Sequence, residues 1–385
     1  MKLLVLAQTP PPLHGQSLMV QTMVDGLPAY GIALHHLNLR LSRDTGDIGR
    51  WRTGKAWATF VIAIRALHAR FTHGCNTLYY VPAPAKRGAL YRDWLVLLIC
   101  RPAFRFLVLH WHAAGLGEWL LHHAHPIERC ISRLLLGRAH LAIVLGEGLR
   151  KDAAALDPRR IAVVRNGIAD PCPGFTRVAV TNREHFKAIF VGLCSREKGV
   201  LATAAAVLEA NRADKTSVRQ PVQLIVAGDF PDEATSREFH ALANASSGAV
   251  RHAGFITGRE KYELFARADV LVFPTFYPHE TQGLVVAEAL AFDLPVITTR
   301  WRAVHEGLPA RHVYYVEPDR PDQIADALAA AQGAGPPLGA LRAQFLAQLT
   351  REHHLAALAA ALRSLQSSPA IPAELSQSSV GLQKK

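Results

Sequence analysis

Short apolar runs recur along the chain, separated by segments long enough for helices. In the first half they are Leu3–Ala7, Leu34–Leu39, Thr77–Val81, Phe106–His110, Leu141–Leu145 and Ile161–Val164. In the second half they are Ala188–Gly192, Val222–Ala227, Val250–Gly254, Val270–Phe273, Pro295–Thr299 and Val313–Val316. Strands alternating with helices at this spacing predict an α/β chain with parallel sheets and crossover helices. The runs divide evenly about residue 180, which predicts two doubly wound domains; an eight-fold barrel would show one unbroken series. The break is GIADPCPGFTRVAVTNRE, with two prolines and no helical period. Residues 1–168 are therefore read as a first domain, 169–184 as a linker and 185–335 as a second domain. The Ala/Leu-rich stretch 336–366 reads as helices, and the polar, Ser- and Pro-containing 367–385 as a disordered tail.

Composition narrows the picture. With 385 residues, half of them hydrophobic, the chain is an ordinary globular protein, which excludes a disordered, collagenous or disulfide-scaffold class. The net charge of +12 favours anionic partners. It is concentrated: between Gly49 and Arg105 stand Arg50, Arg52, Lys55, Arg65, Arg70, Lys86, Arg87, Arg92, Arg101 and Arg105 against the single acid Asp93, interleaved with Trp51, Trp57, Phe60, Phe71 and Trp94. Tryptophan beside arginine and lysine is the pattern of a membrane interface, so an anionic membrane surface is the expected partner. No nucleic-acid-binding module is present, and nucleic acid is not expected. The five cysteines form no C-x-x-C pair, which suits reduced thiols in the cytoplasm. The N-terminal apolar run is too short for a signal peptide, and Trp94–Trp111 is interrupted by Arg101 and Arg105, so no membrane-spanning helix is expected. The expected location is the inner face of the cytoplasmic membrane, as a peripheral protein.

Four constellations carry candidate chemistry. In FPTFYPHETQGLVVAEALAFDLPVI a strand ends in a Pro/aromatic loop and a helix begins near Gln282–Gly283 and runs to Ala291. The first amides of that helix, at Gln282, Gly283 and Leu284, suit an anion, and the loop falls at the carboxyl end of a strand, where open α/β sheets bind ligands. Glu280 precedes the helix; Glu288 lies within it, and its carboxylate suits a ribose diol. In FVGLCSREKGV a strand leads to Arg196 and Lys198 before Gly199 opens a helix, and two cations there suit a diphosphate. After the first strand, QTPPPLHGQS offers Gly15 for close backbone approach and Ser17 as a helix cap, without a G-x-G-x-x-G dinucleotide fingerprint. In LVLHWHAAGLGE, His110 and His112 follow a strand; an H-x-H pair invites a metal, but no third ligand is indicated, and a sugar-contacting or catalytic histidine is the favoured reading.

Taken together and in this order, the loop glycine after the first strand, VVRNGI before the linker, the EKG loop and E-x7-E before DLPVI resemble the family 4 retaining glycosyltransferases of GT-B fold. GREKYELFARADVLVFPTFYPHETQGLVVAEALAFDLPVITT is similar to the bacterial polysaccharide and O-antigen branch. The resemblance covers about residues 1–320 and implies two Rossmann-like domains facing a cleft. It assigns Glu288 to the nucleotide ribose, Glu280 to the donor sugar, Arg196 and Lys198 to the donor diphosphate, Gly15 to the loop facing that diphosphate, His112 to the transferred sugar and Asn166 to the cleft. Leu193 stands where many members carry an arginine, and His110 competes with His112.

Such enzymes move a sugar from a nucleotide-diphosphate donor to a glycan or polyprenyl-diphosphate-linked acceptor. The negative charge that builds on the departing diphosphate calls for preorganised positive charge. The chain has no D-x-D, so neither a metal nor another cofactor is expected. The alternatives are a nucleotide-sugar epimerase of the same fold, for which the first half shows no acid in an obvious site loop, and a non-enzymatic basic membrane-associated protein.

Overall fold

The computed structural model describes residues 1–39, 53–177, 184–212 and 220–366. The expected tail, residues 178–183 of the expected linker, and Arg50, Trp51 and Arg52 of the basic stretch lie outside them. The first unit runs β1 (Lys2–Ala7), α1 (Gly15–Gly26), β2 (Ala33–Asn38), α2 (Thr53–Thr72), β3 (Thr77–Tyr80), α3 (Arg87–Cys100), β4 (Phe106–His110), α4 (Leu116–His122), α5 (Pro126–Leu135), β5 (Leu141–Val144), α6 (Arg150–Ala154) and β6 (Ile161–Val163). Its strands form one parallel sheet in the order β2-β1-β3-β4-β5-β6.

The second unit runs β7 (Phe186–Val191), α7 (Val200–Arg212), β8 (Val222–Ala227), α8 (Glu233–Ala245), β9 (Val250–Gly254), α9 (Gly258–Arg267), β10 (Val270–Phe273), α10 (Leu284–Ala291), β11 (Val296–Thr298), β12 (Val313–Tyr315) and α11 (Pro321–Gly333). Its sheet is also parallel, in the order β12-β11-β10-β7-β8-β9. Two separate sheets exclude the barrel. Every expected run is a strand; the central ones are continuously apolar because helices cover both faces, as in β1, where Leu3, Leu4, Val5 and Leu6 are all fully buried.

Topology places the site. Strand order reverses between β1 and β3 in the first sheet and between β7 and β10 in the second. Ligands of doubly wound sheets bind at the carboxyl ends of strands flanking such a reversal. The segments following β1, β7 and β10 are the Gly15 loop, the Arg196–Lys198 loop and the Glu280–Gly283 loop.

One expectation, the Ser17 cap, is corrected. The Ala/Leu-rich stretch is helical as expected, in two helices, α12 (Ala340–Gln348) and α13 (Arg351–Arg363), broken where Thr350 caps the second. They serve different cores: Leu341 and Phe345 pack in the second unit, whereas Leu355, Leu358 and Leu362 pack against Leu3, Val5 and Val20 of the first. The chain thus returns to the unit it began with. Helix α1 begins before Ser17, and its cap is His14. Ser17 N–H donates to His14 Nδ1 (3.3 Å) and His14 N–H to Ser17 Oγ (3.1 Å), a reciprocal capping box with histidine in the usual Ser/Thr place.

Candidate active site

Two helix starts meet across the cleft. Gly15 opens α1 and Leu284 opens α10, and a Cβ at Gly15 would lie 3.5 Å from Leu284 Cδ1. The helix starts at Leu284, just after the Gln282–Gly283 expected, because Gly283 holds a left-handed backbone (φ 71°). A side chain there would meet Phe273 Cε1 at 3.0 Å, so the position suits glycine alone. The first amides and positive dipole ends of both helices suit an anion here.

Lys198 and Glu280 stand beside it as an ion pair, mostly buried. Lys198 Nζ also lies 5.2 Å from the ring centres of Phe273 and Tyr277. Gly199 allows the EKG loop to lie under the next one: with φ 87° it leaves room for Pro274, whose Cγ would be 2.5 Å from a Cβ, and Phe276 N–H donates to Glu197 O (2.7 Å). Glu288 is one turn into α10 and pairs with Lys261 Nζ of α9 at 2.5 Å. Burial pushes the Glu288 carboxyl up and the Lys261 ammonium opposes it. Lys261 was not legible as a site residue, since it lies mid-helix with no motif.

Other expected residues take different places. Arg196 is paired outside the loop: its guanidinium Nη2 bonds both oxygens of Glu238 on α8 (2.6 and 2.7 Å) in a half-exposed pair. A neighbouring carboxylate outside the loop thus engages one nitrogen, Nη2, of the guanidinium expected for a diphosphate. Gln282 and Asn166 are joined to one another across the two units: Asn166 N–H donates to Gln282 Oε1 (2.7 Å), and Gln282 Nε2 donates to Asn166 O (3.2 Å). The Gln282 side chain is therefore a bridge. Asn166 Oδ1 is buried without a partner.

His110 and His112 separate clearly. His110 is buried, and its Nδ1 is hydrogen-bonded to the Tyr79 hydroxyl. Burial keeps that phenol protonated, so it donates to Nδ1 and leaves the His110 proton on Nε2. His112, its ring 4.1 Å from that of His110, is only partly covered and is the more accessible of the two. Burial, helped by His354 and His14, pushes the His112 imidazole down to about 3. It is neutral at pH 7 and so can offer hydrogen bonds rather than charge. Among the described residues no three His, Cys, Asp or Glu side chains form a metal site.

The small-residue loop after His112 is fixed by a residue with no local signal, Asp152. Its carboxylate accepts from Gly117 N–H (2.6 Å), Gly115 N–H (3.2 Å) and Glu118 N–H (3.2 Å), capping α4. Across the cleft, His279 Nδ1 lies 3.0 Å from Ala114 O, Arg302 pairs with Glu118 (3.0 Å), and the Glu306 carboxylate accepts from Glu147 N–H and Gly148 N–H, each at 2.7 Å. Asp152, Glu118 and Glu306 are thus each engaged in a cap or a pair.

Residues 185–332 match the sequence profile of the family described as Glycosyl transferases group 1. A stretch of 207 residues is 30% identical to the alpha-maltose-1-phosphate synthase of Mycolicibacterium smegmatis, covering 49% of this chain and 50% of that protein. The chain therefore spans about half the length of that curated relative. Among solved structures, HepE from Anabaena in complex with UDP superposes with a TM-score of 0.68 at 15% identity over 94% of this chain and 100% of its own. HepE has also been crystallised with UDP-glucose. Sucrose-phosphate synthase from Thermosynechococcus elongatus gives 0.69 at 16% identity over 95% and 100%. The galactosyltransferase WaaB of the lipopolysaccharide outer core gives 0.65 at 12% over 94% and 99%. The two parallel six-stranded sheets and these likenesses establish the fold as GT-B, with a glycosyl transferases group 1 match in its second half.

Proposed function

We propose that this chain is a retaining, metal-independent glycosyltransferase of family 4. It moves a sugar from a nucleotide-diphosphate donor to a glycan or polyprenyl-diphosphate-linked acceptor in cell-surface polysaccharide synthesis. The observation that carries the reading is the Lys198–Glu280 and Lys261–Glu288 pairs flanking the start of α10, directly opposite the start of α1. The UDP and UDP-glucose complexes of HepE support a nucleotide-sugar donor.

In this reading the diphosphate lies between the two helix starts, with Lys198 beside it. As the bond from the anomeric carbon to the leaving oxygen lengthens, negative charge gathers on the diphosphate. Lys198 and the amides of Gly283 and Leu284 stabilise it there without reorganising. The leaving phosphate oxygen takes the acceptor's hydroxyl proton, which requires no side-chain base. Glu288 accepts from the ribose diol, and Lys261 keeps its carboxylate charged and aimed. Glu280 and neutral His112 bond hydroxyls of the transferred sugar. Asn166 and Gln282 hold the two units in register. The acceptor is presented at the inner face of the cytoplasmic membrane, where the basic first unit meets anionic headgroups; no helix among the described residues is long and apolar enough to cross a membrane.

A thermal-shift panel of nucleotide-diphosphate sugars tests the donor class, since a ligand that binds only the folded state raises its melting temperature. The stabilising donor is then incubated with a mixed acceptor pool in excess EDTA. Transfer with retained anomeric configuration is expected. Epimerised free donor identifies an epimerase, and loss of activity in EDTA with rescue by Mn or Mg overturns metal independence.

A further inference from the structure

Helix α2 covers the sheet with one face and exposes an apolar stripe on the other. Ala63, Ala66 and Ala69 are buried in the core of the first unit. Trp57, Phe60, Ile64 and Phe71 are 68%, 39%, 45% and 73% exposed. At 100° per residue these four side chains fall within about 60° of one another. The Trp57 and Phe60 rings stack at 5.6 Å. Single exposed apolar residues are ordinary, but a continuous stripe along one helix marks a contact surface.

The charges around it identify the partner. Helices α2, α3 and α5 share one face of the first sheet. Helix α2 carries no acid. The acids of the other two are buried: Asp93 accepts from the Tyr80 hydroxyl (2.7 Å) and Ala83 N–H (2.6 Å), and Glu128 from Arg87 (2.9 Å) and the Tyr91 hydroxyl (2.6 Å). Arg65, Arg87 and Arg133 are exposed, beside Leu98 of α3 and Leu134 of α5, which are also exposed. The charges that α2, α3 and α5 show to solvent are positive, and the exposed acid of the neighbouring α4, Glu118, is paired with Arg302. Two such faces repel one another, so a second copy is disfavoured, whereas an anionic bilayer satisfies both the apolar stripe and the cations.

Position adds a third observation. In a parallel sheet a crossover helix begins at the carboxyl edge, where the cleft opens. Trp57 and Phe60 lie on the first turns of α2 and therefore at the cleft end.

We propose that the Trp57–Phe60–Ile64–Phe71 stripe of α2 inserts into the headgroup boundary of an anionic bilayer, bringing the mouth of the cleft to the membrane surface. This deepens the membrane-surface part of the reading above and rests on it. It differs from adhesion by charge alone: the apolar part of the interaction persists when salt screens the rest.

The full chain is floated with vesicles of phosphatidylglycerol and phosphatidylcholine, or phosphatidylcholine alone, and its tryptophan fluorescence is followed with brominated lipid. Binding to the anionic vesicles is expected, with a bound fraction remaining at about 1 M salt. Brominated lipid should quench the wild-type fluorescence, and Trp57→Phe should remove most of that quenching while still floating. The double change Trp57→Ser with Phe60→Ser should lower partitioning by at least about tenfold with an unchanged melting temperature. Complete release by salt, with wild-type binding of the double variant, overturns insertion and leaves adhesion by charge. No binding to either vesicle overturns both membrane readings, while transfer to a soluble acceptor, measured without lipid, tests glycosyl transfer separately. A dimer by light scattering that the double variant dissociates, without any change in vesicle binding, assigns the stripe to a second copy and overturns the proposal.

Discussion

Replacing Lys198 by alanine separates donor binding from architecture. Its ammonium is held by Glu280 and lies over Phe273 and Tyr277, with side chains of Lys198 and Glu280 only 17% and 9% exposed. Two effects follow. Losing a charge-assisted contact to the diphosphate costs about 1.5–3 kcal/mol, or roughly 10- to 150-fold in kcat/KM. Leaving the Glu280 carboxylate without its cation costs stability as well, about 1–3 kcal/mol. Thr281 N–H still donates to it at 3.2 Å, which favours the lower end. The melting temperature should fall by about 2–4 °C for each kcal/mol in a domain of this size. Adding Glu280→Gln removes the stranded charge, so the double variant should regain most of the stability and none of the donor affinity. Calorimetric titration with a nucleoside diphosphate and with the matching nucleoside separates the two causes. Lys198→Ala should weaken the diphosphate at least about tenfold and leave the nucleoside unchanged. Equal weakening of both, or wild-type kcat/KM with an intact melting curve, would refute the placing of the diphosphate at Lys198.

Glu288→Ala should raise the donor KM about tenfold, and Glu288→Asp should do nearly as badly because the shortened carboxylate withdraws from the ribose; unchanged donor kinetics in both would remove the ribose role. Lys261→Met should raise donor KM with little change in kcat, since Lys261 acts by holding Glu288 charged, and a wild-type KM would show that it does not. Gly117→Ala should destabilise the protein by about 1–3 kcal/mol in thermal melts, because a Cβ there would lie 2.0 Å from Asp152 O; a wild-type melting temperature would contradict the packing described for that loop. Burial lowers the imidazoles of His14, His110, His112 and His354, with His112 at about 3. Below about pH 6.5 the unfolded chain takes up protons these folded-state groups refuse, so stability falls as pH drops, each fully buried histidine contributing up to about 1.4 kcal/mol per pH unit. Denaturant melts between pH 7.5 and about 4.5 check this, and a pH-independent midpoint would contradict it.

The strands, and the loops at their ends that gather the candidate residues, were legible because both signals are local. A doubly covered strand is continuously apolar, and a strand–loop–helix junction concentrates its chemistry within a few residues, as at Lys198 and at Glu280–Glu288. What stayed hidden was set by distant partners. Arg196 and Lys198 are equivalent as a pair in the sequence, yet Glu238 holds one and Glu280 holds the other. Lys261 reaches Glu288 only because α9 packs beside α10. Asp152 caps a turn 35 residues before it in the chain, and the capping role of His14 belongs to a residue type seldom used there. The return of α13 to the first unit has no signature beyond its apolar face, which would suit either core. His110 and His112 are told apart by Tyr79, which locks one and not the other.

The central claim is that a nucleotide-diphosphate donor lies between the starts of α1 and α10. A crystal structure with the nucleoside diphosphate that most stabilises the chain tests it most directly. The diphosphate is expected within hydrogen-bond distance, about 3 Å, of Lys198 Nζ and the amides of Gly283 and Leu284, with the ribose diol on Glu288 and the Gly15 loop against the phosphates. A nucleotide bound outside this cleft, or bound within it with its ribose away from Glu288 and its phosphates away from Lys198, would contradict it.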